Sequence, residues 1–260
     1  MDTAPALRPT FATLKAGLDV RAAGRIVAAR SDALSTGFSE LDAVLSGGFP
    51  RGTIASLEGP PSSGRTALLA SVLAQATQRG LAAIVDDGTL YPPDLERAGV
   101  QLERVLVVSA GSAASAKTIA RCADILLRSR AFAAVAMPAV PLRATVWSRL
   151  GGLAQKAGAV LFALGVQANM ELAYFASTRV RCAIDRVVWS GERGVLGELA
   201  GYDVSAHVLK ARRSAPGATA HLPVIDESRG PFERISNAAV RSRACVSSVC
   251  GARRASSSSA

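Results

Sequence analysis

The chain has 260 residues, 49% of them hydrophobic and 19% charged, with 30 Lys and Arg against 20 Asp and Glu for a net charge of +10. Length and apolar content suit one large domain or a core with appendages, and they exclude a chain too polar to bury a core. No apolar run reaches the ~18 residues of a membrane span without a charge or a turn signal, and MDTAPALRPT lacks the basic-then-apolar build of a secretory signal, so a cytoplasmic location with no membrane partner is expected.

In chain order, Leu14, Leu18, Ala22, Ile26 and Ala29 recur at three- or four-residue steps. They predict a helix over 11–30, weakened by Gly17 and Gly24, inside an N-terminal segment 1–34. STGFSELDAVLSGGFPRG combines capping residues, a short amphipathic turn and a glycine-punctuated loop. TIASLEG predicts a strand, TALLASVLAQATQR a helix closed by Gly80, and LAAIVDD a strand ending in acids. PPDLERAGV, RVLVVSA, SAKTIARCADILLRS, AFAAVAM, RATVWSRLGGLAQKAG and AVLFALG continue the alternation of helix and strand. That alternation predicts an α/β fold whose mainly parallel sheet is covered by helices on both faces. After Met170 the period becomes two: STRVRCAIDRVVWS, YDVSAHVLKARR and HLPVID predict antiparallel strands added to the sheet. Residues 35–234 make the core domain. Residues 235–260 have no periodicity and no acid, only Arg241, Arg243, Arg253, Arg254 and a closing run of serines, which predicts a basic, disordered tail.

Gly59, Pro60, Pro61, Ser62, Ser63, Gly64, Arg65 and Thr66 have the outline G-x-x-x-x-G-K-[ST] of a phosphate loop, between a predicted strand and a predicted helix. The glycines let N–H groups close on phosphate, and the helix N-terminus attracts anions. Arg65 stands where the motif has lysine. A forked guanidinium does not place phosphate as a compact ammonium does. Arg65 therefore either holds an anion differently, or swings outward and leaves a tight turn.

ATP turnover with magnesium also needs an acid at the end of a neighbouring strand. AFAAVAMPAV ends in Ala136, Met137 and Pro138. Asp87 is the candidate catalytic acid, beside Asp86, and the alternative is that both cap a strand end. ATP with magnesium is accordingly the only cofactor the residues suggest, and none is firmly implied. Cys122, Cys182, Cys245 and Cys250 show neither CxxC nor zinc spacing, so no metal site is expected and they read as ordinary thiols.

Nearly all the positive charge is arginine, the lysines being Lys15, Lys117, Lys156 and Lys210. It points either to a polyanion partner or to a solvated surface. The DNA-binding candidates are Arg179, Arg181, Arg212, Arg213, Arg241 and Arg243, with Arg253 and Arg254 in the tail. Aromatics are only 5% of residues, so contact should run mainly to phosphates of single-stranded DNA. Tyr174 and Phe175 are read as anchors of the sheet.

Three segments, STGFSELDAVLSGGFPRGTIASLEGPPSSGRT, AAIVDDGTLYPPDLERAGVQLERVLVV and ELAYFASTRVRCAIDRVV, resemble successive segments of the bacterial RecA family across Ser35 to Phe232. The resemblance implies a RecA-like phosphate-loop core. It also aligns RecA's catalytic glutamate with Asp87, its magnesium-associated aspartate with Ala136 or Met137, and its nucleotide-sensing glutamine with Gly165, Gln167 being displaced. The long DNA-tracking loop is cut to GVQANM. These departures resemble the ImuA group, accessory factors of SOS-induced, error-prone translesion synthesis. That likeness implies a scaffold that binds ImuB, an inactive Y-family polymerase relative. RecA, an error-prone replicative-type polymerase subunit and single-stranded DNA are implied as further partners. The competing expectations are a weak DNA-stimulated ATPase and a DNA-binding regulator of recombination.

Overall fold

The computed structural model describes residues 33–190, 198–211 and 217–225. The predicted helix over 11–30 and the basic tail over 235–260 lie outside the described residues. So do Arg212, Arg213, Arg241, Arg243, Arg253 and Arg254, together with Cys245 and Cys250.

A two-stranded antiparallel ribbon pairs β1 (Ala33–Leu34) with β2 (Phe49–Pro50), on either side of the short helix α1 (Ser39–Val44). The chain needs a tight path here, and Asp42 supplies it. Its carboxylate accepts from the Thr36 N–H at 2.7 Å and the Ser35 hydroxyl at 2.5 Å. The Thr36 carbonyl in turn accepts from the Ser71 hydroxyl at 2.8 Å, which ties the ribbon to the next long helix.

The remaining elements follow the alternation read from the sequence. They are β3 (Ile54–Glu58), α2 (Arg65–Arg79), β4 (Leu81–Asp86), α3 (Pro92–Arg97), β5 (Val105–Ser109), α4 (Ala116–Ser129), β6 (Phe132–Pro138), α5 (Ala144–Ala157) and β7 (Val160–Gly165). The short helix α6 (Met170–Phe175), which the periodicity did not show, precedes β8 (Thr178–Ser190), β9 (Glu198–Lys210) and β10 (Thr219–Ile225). They form one eight-stranded sheet in the order β10-β9-β8-β3-β7-β6-β4-β5. Every pairing from β8 to β5 is parallel, and β8–β9 and β9–β10 are antiparallel.

The continuous apolar strands feed two cores because successive side chains point to opposite faces. Ala82 and Ile84 of β4, Ala134 and Ala136 of β6, and Val160 and Phe162 of β7 pack on the α2 side. Their neighbours Ala83, Val85, Val135, Met137, Leu161 and Ala163 pack against α4 and α5. Small side chains dominate the strands, so the helices sit close, and the large fillers are few: Phe49 meets Phe162 edge-on at 5.0 Å, and Trp147 is fully buried beneath α5.

One expectation is corrected. Tyr174 does not anchor the sheet: it is 76% exposed. Phe175, in edge-to-face contact with it at 5.1 Å, packs against the core instead. Six residues of helix turn the two neighbouring side chains to different sides, which a strand-based reading could not show.

Candidate phosphate-loop site

The loop has the backbone its sequence promises. Ser62 (φ +59°) and Gly64 (φ +86°) both take the left-handed region, and Gly64 caps the N-terminus of α2. An added side chain at Gly64 would fail on space as well as conformation, since a Cβ would lie 2.4 Å from a Val204 methyl. The Gly59 N–H donates to the carbonyls of Gly165 and Val166, both at 3.1 Å, which joins the loop to the end of β7. Beyond β3, the β8–β9 pair continues past the strand end and walls the loop. The result is an open cleft of about 410 Å³ lined by Ser62 to Ala67 on one side and Ile184, Val187 and Tyr202 on the other.

The side chains do not match the backbone. Arg65 lines the cleft and does not swing outward: its Nη1 donates to the Gly59 carbonyl of the same loop. The guanidinium thus satisfies the loop from within, and the half-buried Arg65 bears on Cys182, whose thiol burial pushes up to about 12. The Ser63 hydroxyl is buried without a hydrogen-bond partner among the described residues, and it sits directly under Gly59.

The metal side is missing. β6 ends in buried Met137 followed by Pro138, beside Ala163 and Leu164 of β7. No group of three His, Cys, Asp or Glu residues that could hold a metal occurs among the described residues. Asp86 accepts from the N–H groups of Thr89 and Leu90 at 3.1 and 3.0 Å, so it caps the turn after β4. Asp87, half-buried, accepts from the Thr89 hydroxyl at 2.8 Å. At Gly165 a Cβ would lie 2.7 Å from that of Ala139, so the position aligned with the nucleotide-sensing glutamine has no room for one unless Ala139 moves. The loop backbone fits a phosphate group; the surrounding side chains do not fit a magnesium ion.

Of the DNA-binding candidates, Arg179 is committed elsewhere. Its guanidinium makes a bidentate pair with Glu58 at 2.7 and 3.1 Å, and the Glu58 side chain is fully buried at the end of β3. Arg181, about half exposed, stands 3.8 Å from the same carboxylate. The parallel register sets Arg179 beside Ser56 and Arg181 beside Glu58. Sequence reasoning passed over Glu58, although an acid closing a fully buried apolar strand signals a cation partner. It passed over Lys210 as well, whose Nζ donates to the carbonyls of Ala173 and Tyr174 at 2.9 Å. That contact closes the C-terminal end of α6, and desolvation, with the Arg179 charge second, lowers the Lys210 pKa.

Fold and loop together define the class, a RecA-like α/β protein with a phosphate-loop core. Residues 19–146 match the family model of the RecA N-terminal domain. Relatives named Protein RecA align with this region at 42% identity over 110 residues in Methylococcus capsulatus, covering 41% of this chain and 31% of that protein. In Synechococcus sp. (strain CC9605) the identity is 36% over 137 residues, covering 51% and 36%. In Thermus thermophilus it is 38% over 112 residues, covering 42% and 32%. The chain therefore spans about a third of the length of these curated relatives. Among solved structures, the RadB recombinase superimposes with a TM-score of 0.56 at 20% identity, covering 74% of this chain and 96% of that one, which is a likeness of fold.

Proposed function

We propose that this chain is a non-catalytic RecA-like accessory protein of the ImuA type, acting in SOS-induced, error-prone translesion synthesis. On this reading an ImuB-type polymerase relative is its main partner. RecA, an error-prone replicative-type polymerase subunit and single-stranded DNA are further ones. The observation that carries the proposal is Arg65 hydrogen-bonded to the Gly59 carbonyl of its own loop, in a sheet where β6, two strands along from β3, ends in Met137 and Pro138. A loop whose arginine is tied to its own backbone, with no carboxylate at the end of β6, keeps the architecture of an ATPase and lacks the metal-side acid that phosphoryl transfer uses.

The test is ATP binding and turnover by the purified protein, with and without single-stranded DNA, beside Arg65→Ala and Arg65→Lys. The expected result is no turnover in any of the three. Arg65→Lys at most gains nucleotide binding, because the metal-side carboxylate is still absent. Turnover that DNA stimulates and Arg65→Ala abolishes would replace this proposal with the ATPase reading, and Asp87 would become its acid. Co-elution with an ImuB-type protein in size-exclusion chromatography tests the partner, and separate elution at micromolar concentration would remove it.

A further inference from the structure

On the sheet face opposite α2, α4 and α5 pack side by side and run into the starts of β6 and β7. Between Glu103 and Glu171 the chain has a single acid, Asp124. The same two helices and their flanks carry Lys117, Arg121, Arg128, Arg130, Arg143, Arg149 and Lys156, all exposed. Asp124 is used in stitching the helices together: it accepts from Arg128 Nε of its own helix at 2.8 Å and from Arg149 Nε of α5 at 2.7 Å. The other five cations have no carboxylate partner among the described residues. Two of them, Arg130 and Lys156, stand at helix C-terminal ends, where a cation offsets the dipole. Seven cations exceed what two helix ends require.

Three of these cations stand around a cavity at the C-terminal ends of the two helices. Leu127 and Leu153 line it beside Arg128, Arg130 and Lys156, with a volume of about 240 Å³. On α4 the 53% exposed Ile125 adds apolar surface between Arg121 and Arg128. The exposed aromatic side chains of the described residues, Tyr91, Tyr174 and Trp189, belong to other elements. A nucleic-acid strand would find cations here for its phosphates but no ring to stack on, and it has no use for the cavity beside Leu153. A peptide segment fits both features.

We infer that the α4–α5 face is a docking site for an acidic protein segment that seats one apolar side chain in the cavity against Leu153 while its carboxylates meet Arg130 and Lys156. Charge supplies steering and specificity, and the apolar anchor supplies the buried contact. The inference goes beyond the accessory role above and does not depend on the state of the phosphate loop.

The test uses the full chain and three fluorescein-labelled probes: an acidic peptide with one central phenylalanine, the same peptide with serine in its place, and oligo-dT. The phenylalanine peptide binds, and Arg130→Glu with Lys156→Glu weakens it about tenfold or more, because two attractive charges become repulsive. The serine peptide binds several-fold more weakly than the phenylalanine one. Arg181→Glu, on β8, leaves peptide binding unchanged. If charge reversal perturbs folding, Lys156→Gln, which keeps the stem, still weakens the peptide about threefold. Equal affinity for wild type and the reversed variant would overturn the inference. So would equal affinity for the phenylalanine and serine peptides, or a loss of oligo-dT binding in the reversed variant matching that of the peptide.

Discussion

Two regions of the sheet treat charge in opposite ways. Around β3 and its neighbours β8 and β9 the ionic side chains are turned on the protein itself: Arg65 on Gly59, Arg179 on Glu58, Lys210 on the end of α6. On the face covered by α4 and α5, five cations are left to solvent and one acid serves to join two helices. A RecA-like fold would be expected to keep its free charge at the strand ends, where ligands bind in open α/β sheets. Here the loop region turns its cations on the protein and the α4–α5 face holds the available charge.

The sharpest way to break this contrast is Arg179→Ala. It leaves the buried Glu58 side chain with the Ser56 hydroxyl at 3.3 Å and Arg181 at 3.8 Å, so unfolding free energy should fall by about 3–5 kcal/mol, as when one member of a buried pair is removed. Urea denaturation measures it, and Glu58→Leu with Arg179→Leu should recover most of the loss. A fall below about 1 kcal/mol would mean that Glu58 does not depend on the Arg179 guanidinium.

Gly64→Ala probes the packing of the loop on β9. The left-handed backbone and the Val204 methyl 2.4 Å from the new Cβ together should destabilise by about 2 kcal/mol. Val204→Ala in the same chain should relieve the steric part. An unchanged denaturation midpoint for Gly64→Ala would show that the wall made by β8 and β9 stands away from the loop.

Asp87→Ala should be nearly silent, because its one contact in the described residues is the Thr89 hydroxyl on an exposed turn. Any loss of ATP turnover in this variant would restore a catalytic role to the loop region.

A small, pH-dependent effect belongs to Asp124. The hydrogen bond from Arg149, opposed by partial burial and reinforced by Arg128, holds its carboxyl below the ordinary 3.8. A depressed carboxylate stabilises the fold above its unfolded pKa, and that contribution disappears as pH falls through the folded value. Asp124→Asn should therefore lower stability slightly at pH 7, and its gap from wild type should close as the pH drops below about 4. A gap that persists in strong acid would assign the role of Asp124 to packing and not to its charge.

The order of strands and helices was legible because each element satisfies a local rule. Apolar runs such as AFAAVAM can only be buried strands between helices, and TALLASVLAQATQR ends at a glycine. The phosphate loop, its arginine and the absent carboxylate after Met137 were legible too, since motif spacing is local in sequence. Where Arg65 points was not. Both readings of it, on an anion or outward, omitted the carbonyl six residues earlier, which becomes available only when the loop closes on itself.

Glu58 and Arg179 are 121 residues apart and meet only because β3 and β8 are parallel neighbours. The basic face needed two helices from different crossovers to lie together, although the scarcity of acids between Glu103 and Glu171 was its trace in the sequence. The sequence by itself determined the alternating α/β class, the site of the loop and the loss of its metal-side acid, because periodicity and motif spacing act within one element. Tertiary structure alone decided which charges are spent and which are free. Pairing between ionic groups depends on distances that sheet order and helix packing set, and on the burial that makes a partner obligatory at Glu58 and dispensable on α4 and α5.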